Sequence, residues 1–414
     1  MKKRYWLLVP VAACVIVCAA AIGYIRFHPD RAPEQLAFLT DSRPASQADG
    51  TDPAEQTAPK ELSTAQKRAQ EILKDMTLEQ KIYQMMFVRP ETLTGVGKVV
   101  RAGESTKAAM EAAPVGGIIY FSQNFQGTEQ TSQMLSNTQD YARDAGAKIP
   151  LFMGVDEEGG TVARVASVLG TTEFDDMASY GAQNDTQKAY EIGKTLATDI
   201  SGFGFNVDFA PVADVLSNEN NTEIGDRSFG SDPEVVSGMV EHEVKGLQES
   251  GVMAALKHFP GHGSTESNSH DGTSETDRTL DELRACDLKP FEAGIQQNAA
   301  FVLVSHMTAT EIDSVPCSLS SKVITDLLRG ELGYDGIVIT DGMEMGAITD
   351  NFENGEAAVK AVQAGADMLL CPPSIDDAYS ALSDAVEDGT VTEERIDESV
   401  ARILTAKLQY GLMN

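Results

Sequence analysis

Residues 252–258 read Val-Met-Ala-Ala-Leu-Lys-His, an apolar run that ends on a lysine and a histidine. Similar runs recur along the chain, and longer amphipathic stretches separate them. Apolar strands that are buried on both faces and alternate with helices indicate a parallel sheet. Strands are predicted at residues 82–88, 117–121, 150–155, 205–212, 252–258, 300–305, 336–340 and 366–371. Helices are predicted at residues 128–144, 185–200, 233–249, 280–297 and 320–332, among others.

Eight such strands predict the α/β class and a single (β/α)8 barrel of the TIM type. An open, doubly wound sheet is the alternative, because periodicity does not reveal whether a sheet closes. Charged and polar residues stand at one end of the strands, the end that forms the active-site face of a barrel. This placement predicts an enzyme. The residues are Asp156, Asp208, Asp214, Lys257, His258, His306 and Asp341.

The composition excludes several function classes. The chain has 414 residues, 32 Lys and Arg against 63 Asp and Glu, and a formal charge of −31. Such a charge disfavours nucleic-acid binding, and a hydrophobic content of 42% is too high for a disordered protein. The cysteines are Cys14, Cys18, Cys286, Cys317 and Cys371, without C-x-x-C spacing, so neither a disulfide framework nor a zinc knuckle is predicted.

The N-terminus resembles a targeting segment. Met-Lys-Lys-Arg is followed by an uncharged, almost wholly apolar stretch over residues 6–25. We therefore expect residues 1–27 to form an uncleaved signal-anchor that spans the membrane, with the body of the protein on the extracytoplasmic side. A cleaved signal peptide or a lipoprotein attached at Cys14 is the alternative. Residues 28–61 are predicted to be a flexible linker, and residues 62–414 the folded catalytic domain.

The most informative motif reads Lys-His-Phe-Pro-Gly-His-Gly over residues 257–263. His258 and His262 are four residues apart, but Pro-Gly between them would break a helix, so the motif does not predict a metal pair. We expect no metal and no cofactor. The loop that follows contains Asn268 and His270, and a histidine on a loop can donate and accept a proton near neutral pH. Taken alone, His270 could equally be a surface histidine without a role.

Two further motifs follow predicted strands. Val-Ile-Thr-Asp-Gly-Met over residues 338–343 places Asp341 at a strand end, where an aspartate is either a nucleophile or a helix cap. Asp-Glu-Glu-Gly-Gly over residues 156–160 carries two glycines that permit close approach of a ligand to the backbone, or that form a plain turn. The chain has no phosphate loop of the G-x-x-x-x-G-K-[ST] kind.

These motifs together resemble glycoside hydrolase family 3, and within it the β-N-acetylhexosaminidase branch of muropeptide-trimming N-acetylglucosaminidases. The resemblance rests on residues 257–263 with His270, on Asp-Glu-Glu-Gly-Gly-Thr-Val-Ala-Arg over 156–164, on Gly-Asp-Arg-Ser-Phe-Gly over 225–230, and on residues 338–345. It extends from about residue 62 to the C-terminus. Residues 62–414 suffice for one barrel but not for a second α/β domain, so we expect an acid/base residue on an internal loop, as in this branch.

The resemblance implies a retaining hydrolase that removes terminal β-linked N-acetylglucosamine from peptidoglycan fragments or related glycans by double displacement. Asp341 would be the nucleophile and His270 the general acid/base. The hydroxyls and N-acetyl group of the sugar would be held by Asp156, Arg164, Arg227, Lys257 and His258, whose types suit directional hydrogen bonds.

One position departs from the family pattern. The family usually has an aspartate two residues before the loop histidine, and this chain has Asn268. An amide can orient the imidazole through its carbonyl oxygen but does not stabilise the imidazolium by charge, so we expect a weaker acid/base unless Asp271 or Glu266 substitutes. Two alternatives remain open: a glycoside phosphorylase on the same scaffold, and a non-catalytic protein that binds wall glycans.

Overall fold

Eight parallel strands close into a barrel in the computed structural model, which describes residues 62–265 and 274–413. Each strand pairs with its neighbour in the sequence, and the eighth pairs with the first. This confirms the predicted barrel and excludes the open sheet. The strands are β1 Met86–Val88, β2 Gly117–Ile119, β3 Phe152–Val155, β4 Val207–Asp208, β5 Met253–Phe259, β6 Phe301–Val304, β7 Ile337–Gly342 and β8 Met368–Leu370.

Helices connect the strands and surround the barrel. The α-helices are Thr64–Leu73, Leu78–Gln84, Pro90–Thr94, Glu104–Ala112, Thr128–Asp144, Ala166–Leu169, Met177–Gly181, Thr186–Ser201, Pro233–Glu249, Leu280–Ala285, Lys289–Gln296, Gly346–Thr349, Asn354–Ala364, Ile375–Glu387 and Glu393–Gln409. A π-helix spans Lys322–Glu331, and single 3₁₀ turns occur at Ser122–Asn124, Gly225–Arg227, His262–Ser264 and Cys317–Leu319. Two short strand pairs, Glu157–Gly159 with Val162–Ala163 and Glu275–Thr276 with Thr308–Ala309, lie outside the barrel.

Aromatic side chains fill the barrel interior. The Phe87 ring lies 6.3 Å from that of Phe152 and 5.4 Å from that of Phe209, measured between centroids. Gly154 makes this packing possible, because a Cβ there would lie 2.7 Å from Phe87 and 2.8 Å from Phe209. The strand positions are almost all fully buried, as a sheet covered on both faces requires.

A buried lysine closes the amino-terminal end of the barrel. Lys407 Nζ donates to Gln84 Oε1 at 2.8 Å and to Gly116 O at 2.9 Å, and both acceptors precede a strand. The same Nζ lies 4.7 Å from the centroid of the Phe152 ring. The opposite end, where the strands finish on charged residues, is therefore the end that presents the candidate site.

Several predicted elements differ in extent. Residues 82–84 belong to the helix Leu78–Gln84 rather than to β1, because Thr77 and Gln80 form a capping box that starts a helix. The predicted strand at 205–212 is regular only over Val207–Asp208. The predicted helix at 280–297 is two helices, and the second has a proline, Pro290, in its first turn.

The predicted signal-anchor at residues 1–27 and the linker at 28–61 lie outside the described residues. Over residues 62–265 and 274–413, no helix is both long and apolar enough to cross a membrane.

Candidate active site

The carboxyl ends of the strands bring most of the predicted site residues to one rim of the barrel. Asp156 directly follows β3, Lys257 and His258 lie near the end of β5, and Asp341 lies near the end of β7. In a parallel barrel all these ends meet at one face.

A lysine and an arginine share a buried carboxylate at this rim. Lys257 Nζ lies 2.7 Å from Asp156 Oδ1 and 2.5 Å from Glu158 Oε1. Arg227 binds the same Glu158 with two parallel hydrogen bonds, Nε to Oε2 and a terminal nitrogen to Oε1, both 2.8 Å long. Glu158 is 2% exposed and Lys257 is 3% exposed. Glu158 therefore holds two of the predicted substrate-binding cations side by side.

In this network, each charged side chain stabilises the ionised state of its neighbours. Burial opposes ionisation of Glu158, but the charges of Lys257 and Arg227 outweigh it and hold the pKa of Glu158 well below its ordinary value. Burial likewise opposes the charge on Lys257, and Asp156 and Glu158 together raise its pKa above the ordinary value. Lys257 is thus a protonated donor and Glu158 an ionised acceptor at neutral pH.

A second buried carboxylate contacts both histidines of the Lys-His-Phe-Pro-Gly-His-Gly motif, one through its ring and the other through its backbone. Asp214 Oδ2 lies 2.7 Å from His258 Nδ1, and Asp214 Oδ1 accepts the backbone N–H of His262 at 2.6 Å. Burial would raise the pKa of Asp214, but its histidine partners lower it below the ordinary value. Burial and the neighbouring His258 lower the pKa of His262. Across the described residues, no cluster of three or more His, Cys, Asp or Glu side chains could hold a metal ion.

The backbone next to Asp341 is hydrogen-bonded to side chains, including that of Asp341 itself. Its Oδ1 accepts the N–H of Gly342 at 2.7 Å. The carbonyl of Gly342 lies 3.0 Å from Nε2 of His306, a fully buried histidine that follows β6. The negative charge of Asp341 acts on the pKa of His262, which places the nucleophile candidate within electrostatic reach of the histidine motif.

Arg164 is connected to Asp156 through the backbone. Its N–H donates to Asp156 O at 3.4 Å, and its guanidinium carbon lies 5.9 Å from the centroid of the Phe121 ring. The next two residues are anchored by Glu157, whose carboxylate accepts the N–H of Val165 at 2.6 Å and that of Ala166 at 3.0 Å.

Comparison with known proteins identifies the family. The glycosyl hydrolase family 3 N terminal domain matches residues 77–406. The chain belongs to this family. The resemblance read from the sequence motifs is thereby confirmed.

Named members of the family are similar to this chain over most of its length. Beta-hexosaminidase LpqI of Mycobacterium tuberculosis is 35% identical over 318 residues, which are 74% of this chain and 79% of that protein. Beta-hexosaminidase A of Pseudoalteromonas piscicida is 34% identical over 323 residues, or 72% of this chain. The match spans only about half of that relative, 54% of its length.

A solved family 3 structure has the same barrel. The β-N-acetylglucosaminidase from Paenibacillus sp. str. FPU-7 superposes with a TM-score of 0.76 at 36% sequence identity. The superposition covers 81% of this chain and 63% of that one.

Within this family 3 barrel, the described residues bring Asp156, Lys257 and Arg227 into one network, directly or through Glu158. Two residues of the predicted site, Asn268 and His270, lie outside the described residues, and their roles stay predictions.

Sequence reasoning assigned no role to two carboxylates that the structure places at the centre of the site. Glu158 follows Asp156 by two residues, the spacing that puts side chains on one face of an extended segment, and this signal could have identified it. Asp214 was recognised as a strand-end residue, but its pairing with His258, 44 residues away in the sequence, has no local signal.

Proposed function

We propose that this chain is a retaining β-N-acetylhexosaminidase that hydrolyses terminal β-linked N-acetylglucosamine from peptidoglycan fragments or related glycans. The observation that carries the proposal is the buried network of Asp156, Lys257, Glu158 and Arg227 on the same rim as Asp341. The relatives named above as β-hexosaminidases support the choice of sugar.

The network suits a polyhydroxylated ring. Lys257 keeps its proton and donates, while Asp156, which is partly exposed, accepts. Arg227, Arg164 and His258 supply further donors around the ring in this proposal. Because Glu158 and Asp214 fix Arg227 and His258 before substrate arrives, little side-chain entropy is lost on binding.

The proposed chemistry is a double displacement. Asp341 attacks the anomeric carbon and forms a glycosyl-enzyme, while His270 donates a proton to the leaving oxygen. Water then attacks the same carbon, His270 accepts its proton, and the bond from that carbon to Asp341 breaks, which releases the sugar with retained configuration and regenerates the carboxylate. Asp341 attacks through one oxygen while the N–H of Gly342 holds the other, which fixes the carboxylate in one orientation.

Turnover of a nitrophenyl N-acetylglucosaminide combined with covalent trapping tests this proposal. A fluorinated N-acetylglucosamine analogue should label Asp341, as mass spectrometry of peptides would show, and Asp341→Asn should abolish both label and turnover. A label on any other residue overturns the assignment. Strong acceleration by inorganic phosphate would indicate a phosphorylase, and sugar binding without turnover a non-catalytic protein.

The acid/base proposal has its own test at the position that departs from the family pattern. Asn268→Asp should raise kcat, because a carboxylate stabilises the imidazolium of His270 by charge. The pH profile of kcat should shift to higher pH at its basic limb. If kcat is unchanged or lower in Asn268→Asp, the site did not lose a charge partner at this position.

We also propose that residues 1–27 anchor the protein in the cell membrane and that residues 28–61 tether an extracytoplasmic catalytic domain. The basic start and the apolar stretch over residues 6–25 support this. Full-length protein should sediment with membranes and be degraded by protease added to spheroplasts. Recovery in the medium would indicate cleavage, and Cys14-dependent labelling by a fatty acid would indicate a lipoprotein.

A further inference from the structure

His306 is a fully buried histidine at the site rim that the proposed mechanism does not use. Among the described residues, each of its ring nitrogens has a hydrogen-bond partner. Nδ1 lies 2.7 Å from Oγ of the buried Ser318, and Nε2 lies 3.0 Å from the carbonyl oxygen of Gly342. A carbonyl oxygen only accepts, so Nε2 carries the hydrogen. The Ser318 hydroxyl contacts the other nitrogen, Nδ1, so the two contacts together fix the plane of the ring.

The bond to Gly342 occurs just beyond the point where regular pairing of β7 with β6 stops. The last backbone register pair between β6 and β7 is Val304 with Thr340. On the other side of β7, the register with β8 shifts between Ile339 and Gly342. The backbone that carries Asp341 therefore lies beyond the last β6–β7 pair and within an irregularity of the β7–β8 ladder, which resumes at the pair Gly342–Leu370. The side chain of His306 reaches across from the end of β6 and continues the β6–β7 connection beyond Thr340.

Gly342 is consequently held on both of its peptide groups. Its carbonyl accepts from His306, while the N–H of Met343, in the same peptide plane, donates to Leu370 O at 2.8 Å. In the preceding peptide plane, the N–H of Gly342 donates to Asp341 Oδ1 at 2.7 Å. A shift of Gly342 would thus move the donor that orients the Asp341 carboxylate.

We infer that His306 is a positioning residue for the nucleophile: it donates to Gly342 and thereby fixes the backbone N–H that orients Asp341. The inference rests on the proposed function, in which Asp341 attacks the sugar. Displacement of a reacting group by about 1 Å can cost about 100-fold in rate without a comparable loss of binding. The effect of His306 should therefore fall on kcat, whereas residues of the Lys257–Glu158–Arg227 network should act on KM as well.

Two substitutions of His306 separate positioning from packing. In His306→Leu the donor to Gly342 is lost, and kcat for the nitrophenyl N-acetylglucosaminide should fall roughly 10- to 100-fold with KM within about twofold of the wild type. His306→Gln retains an amide N–H at the end of its side chain that can donate to Gly342, and it should recover most of kcat. The rate of labelling by the fluorinated analogue should follow kcat in both variants.

Ser318→Ala provides a milder test that leaves His306 in place. Loss of the hydroxyl frees the ring plane, so kcat should fall by less than in His306→Leu, roughly 3- to 10-fold, again with little change in KM. The thermal unfolding midpoint of His306→Leu shows whether that variant folds. If it does not, Ser318→Ala alone tests the positioning role of His306. The inference would be overturned if folded Ser318→Ala and His306→Leu were labelled as fast as the wild type. It would also be overturned if His306→Gln lost as much kcat as His306→Leu.

The labelling site distinguishes failure of this inference from failure of the proposed function. If wild-type protein is labelled at Asp341 and His306→Leu is labelled equally fast, the positioning role is wrong and the proposed function stands. If wild-type protein is labelled elsewhere, the assignment of Asp341 as the nucleophile in the proposed function fails, and the positioning role of His306 fails with it.

Discussion

Glu158 is a buried carboxylate whose two cationic neighbours make its charge favourable. Lys257 and Arg227 both contact it, and it is 2% exposed. Removal of one partner from a buried charge cluster typically costs about 3–5 kcal/mol, because the remaining charges are left uncompensated. Glu158→Gln should therefore lower kcat/KM for the nitrophenyl substrate roughly 100-fold and lower the thermal unfolding midpoint. Steady-state kinetics and calorimetry measure the two effects.

A double variant shows whether the loss at Glu158 comes from its pairing with Arg227. If the pair acts as a unit, Glu158→Gln combined with Arg227→Gln should cost much less than the sum of the two single substitutions. Strictly additive losses would mean that the two side chains contribute independently, despite their parallel hydrogen bonds.

At the scale of the element, the short segment Asp156-Glu157-Glu158 contacts two different parts of the site. Asp156 and Glu158 contact Lys257, whereas Glu157 accepts the N–H groups of Val165 and Ala166. Side chains alternate between the two faces of an extended segment, which explains this division. One strand-like segment thus holds the lysine on one face and the Arg164 loop on the other.

Loss of the Glu157 anchor should loosen Arg164 without disturbing the nucleophile. We expect Glu157→Ala to raise KM several-fold with kcat within about twofold, because two backbone donors lose their acceptor. Glu157→Gln should be intermediate, since its amide oxygen can accept one of the two N–H groups. Michaelis–Menten kinetics would show this, with the exposed Glu173→Ala as the matched control. A fall in kcat at constant KM would contradict the anchoring role.

Some elements could be predicted from the sequence with their observed bounds, and others could not. Helix Pro233–Glu249 was predicted with its observed bounds, because Asp232 and Pro233 mark its start and the apolar period marks its buried face. Asp156 and Asp341 were placed at the rim because apolar runs mark where strands end. Residues 82–84 were misassigned because a short buried apolar run is the same in a strand and in a helix.

The roles of Glu158 and Asp214 depend on partners that are distant in the sequence. Arg227 is 69 residues from Glu158, and His258 is 44 residues from Asp214. No local pattern encodes such a pairing, since the closed barrel alone brings these positions together. The sequence could therefore predict which strand ends carry charged side chains, but not which carboxylate binds which cation.

At the scale of the whole molecule, buried carboxyl groups make stability depend on pH. Burial raises the pKa of Glu157 to about 7, of Asp287 to about 6 and, with the charge of Glu158, of Glu243 to about 8. Each folded pKa lies above the unfolded value, so the folded state binds these protons more tightly. Their contribution to stability is complete below the unfolded pKa values and is lost as pH rises through the folded ones.

Two other buried carboxylates change stability with pH in the opposite direction. Burial opposes the charges of Asp214 and Asp367, but histidines lower the pKa of the former, and Arg329, Arg402 and Arg395 lower that of the latter. Their stabilisation is present above the unfolded pKa and is lost as pH falls through the lowered folded values. Stability therefore falls as pH drops through the lowered folded values of Asp214 and Asp367, and it also falls as pH rises through the raised folded values of the first group. The net charge of −31, which repels itself more strongly as pH rises, acts in the same direction as the first group.

Glu243 allows this pH dependence to be tested at one residue. It is 1% exposed, and its Oε2 has no hydrogen-bond partner among the described residues. Each pH unit between its unfolded and folded pKa should remove roughly 1.4 kcal/mol from the free energy of unfolding. The thermal midpoint of the wild type should therefore decrease as pH is raised from 6 to 8.

Glu243→Gln introduces a neutral side chain of the same shape. Its thermal midpoint should decrease less over this range and should be higher than that of the wild type at pH 8. An equal fall in both proteins would mean that Glu243 does not titrate in this range, and that the ionisation of other groups limits stability at high pH.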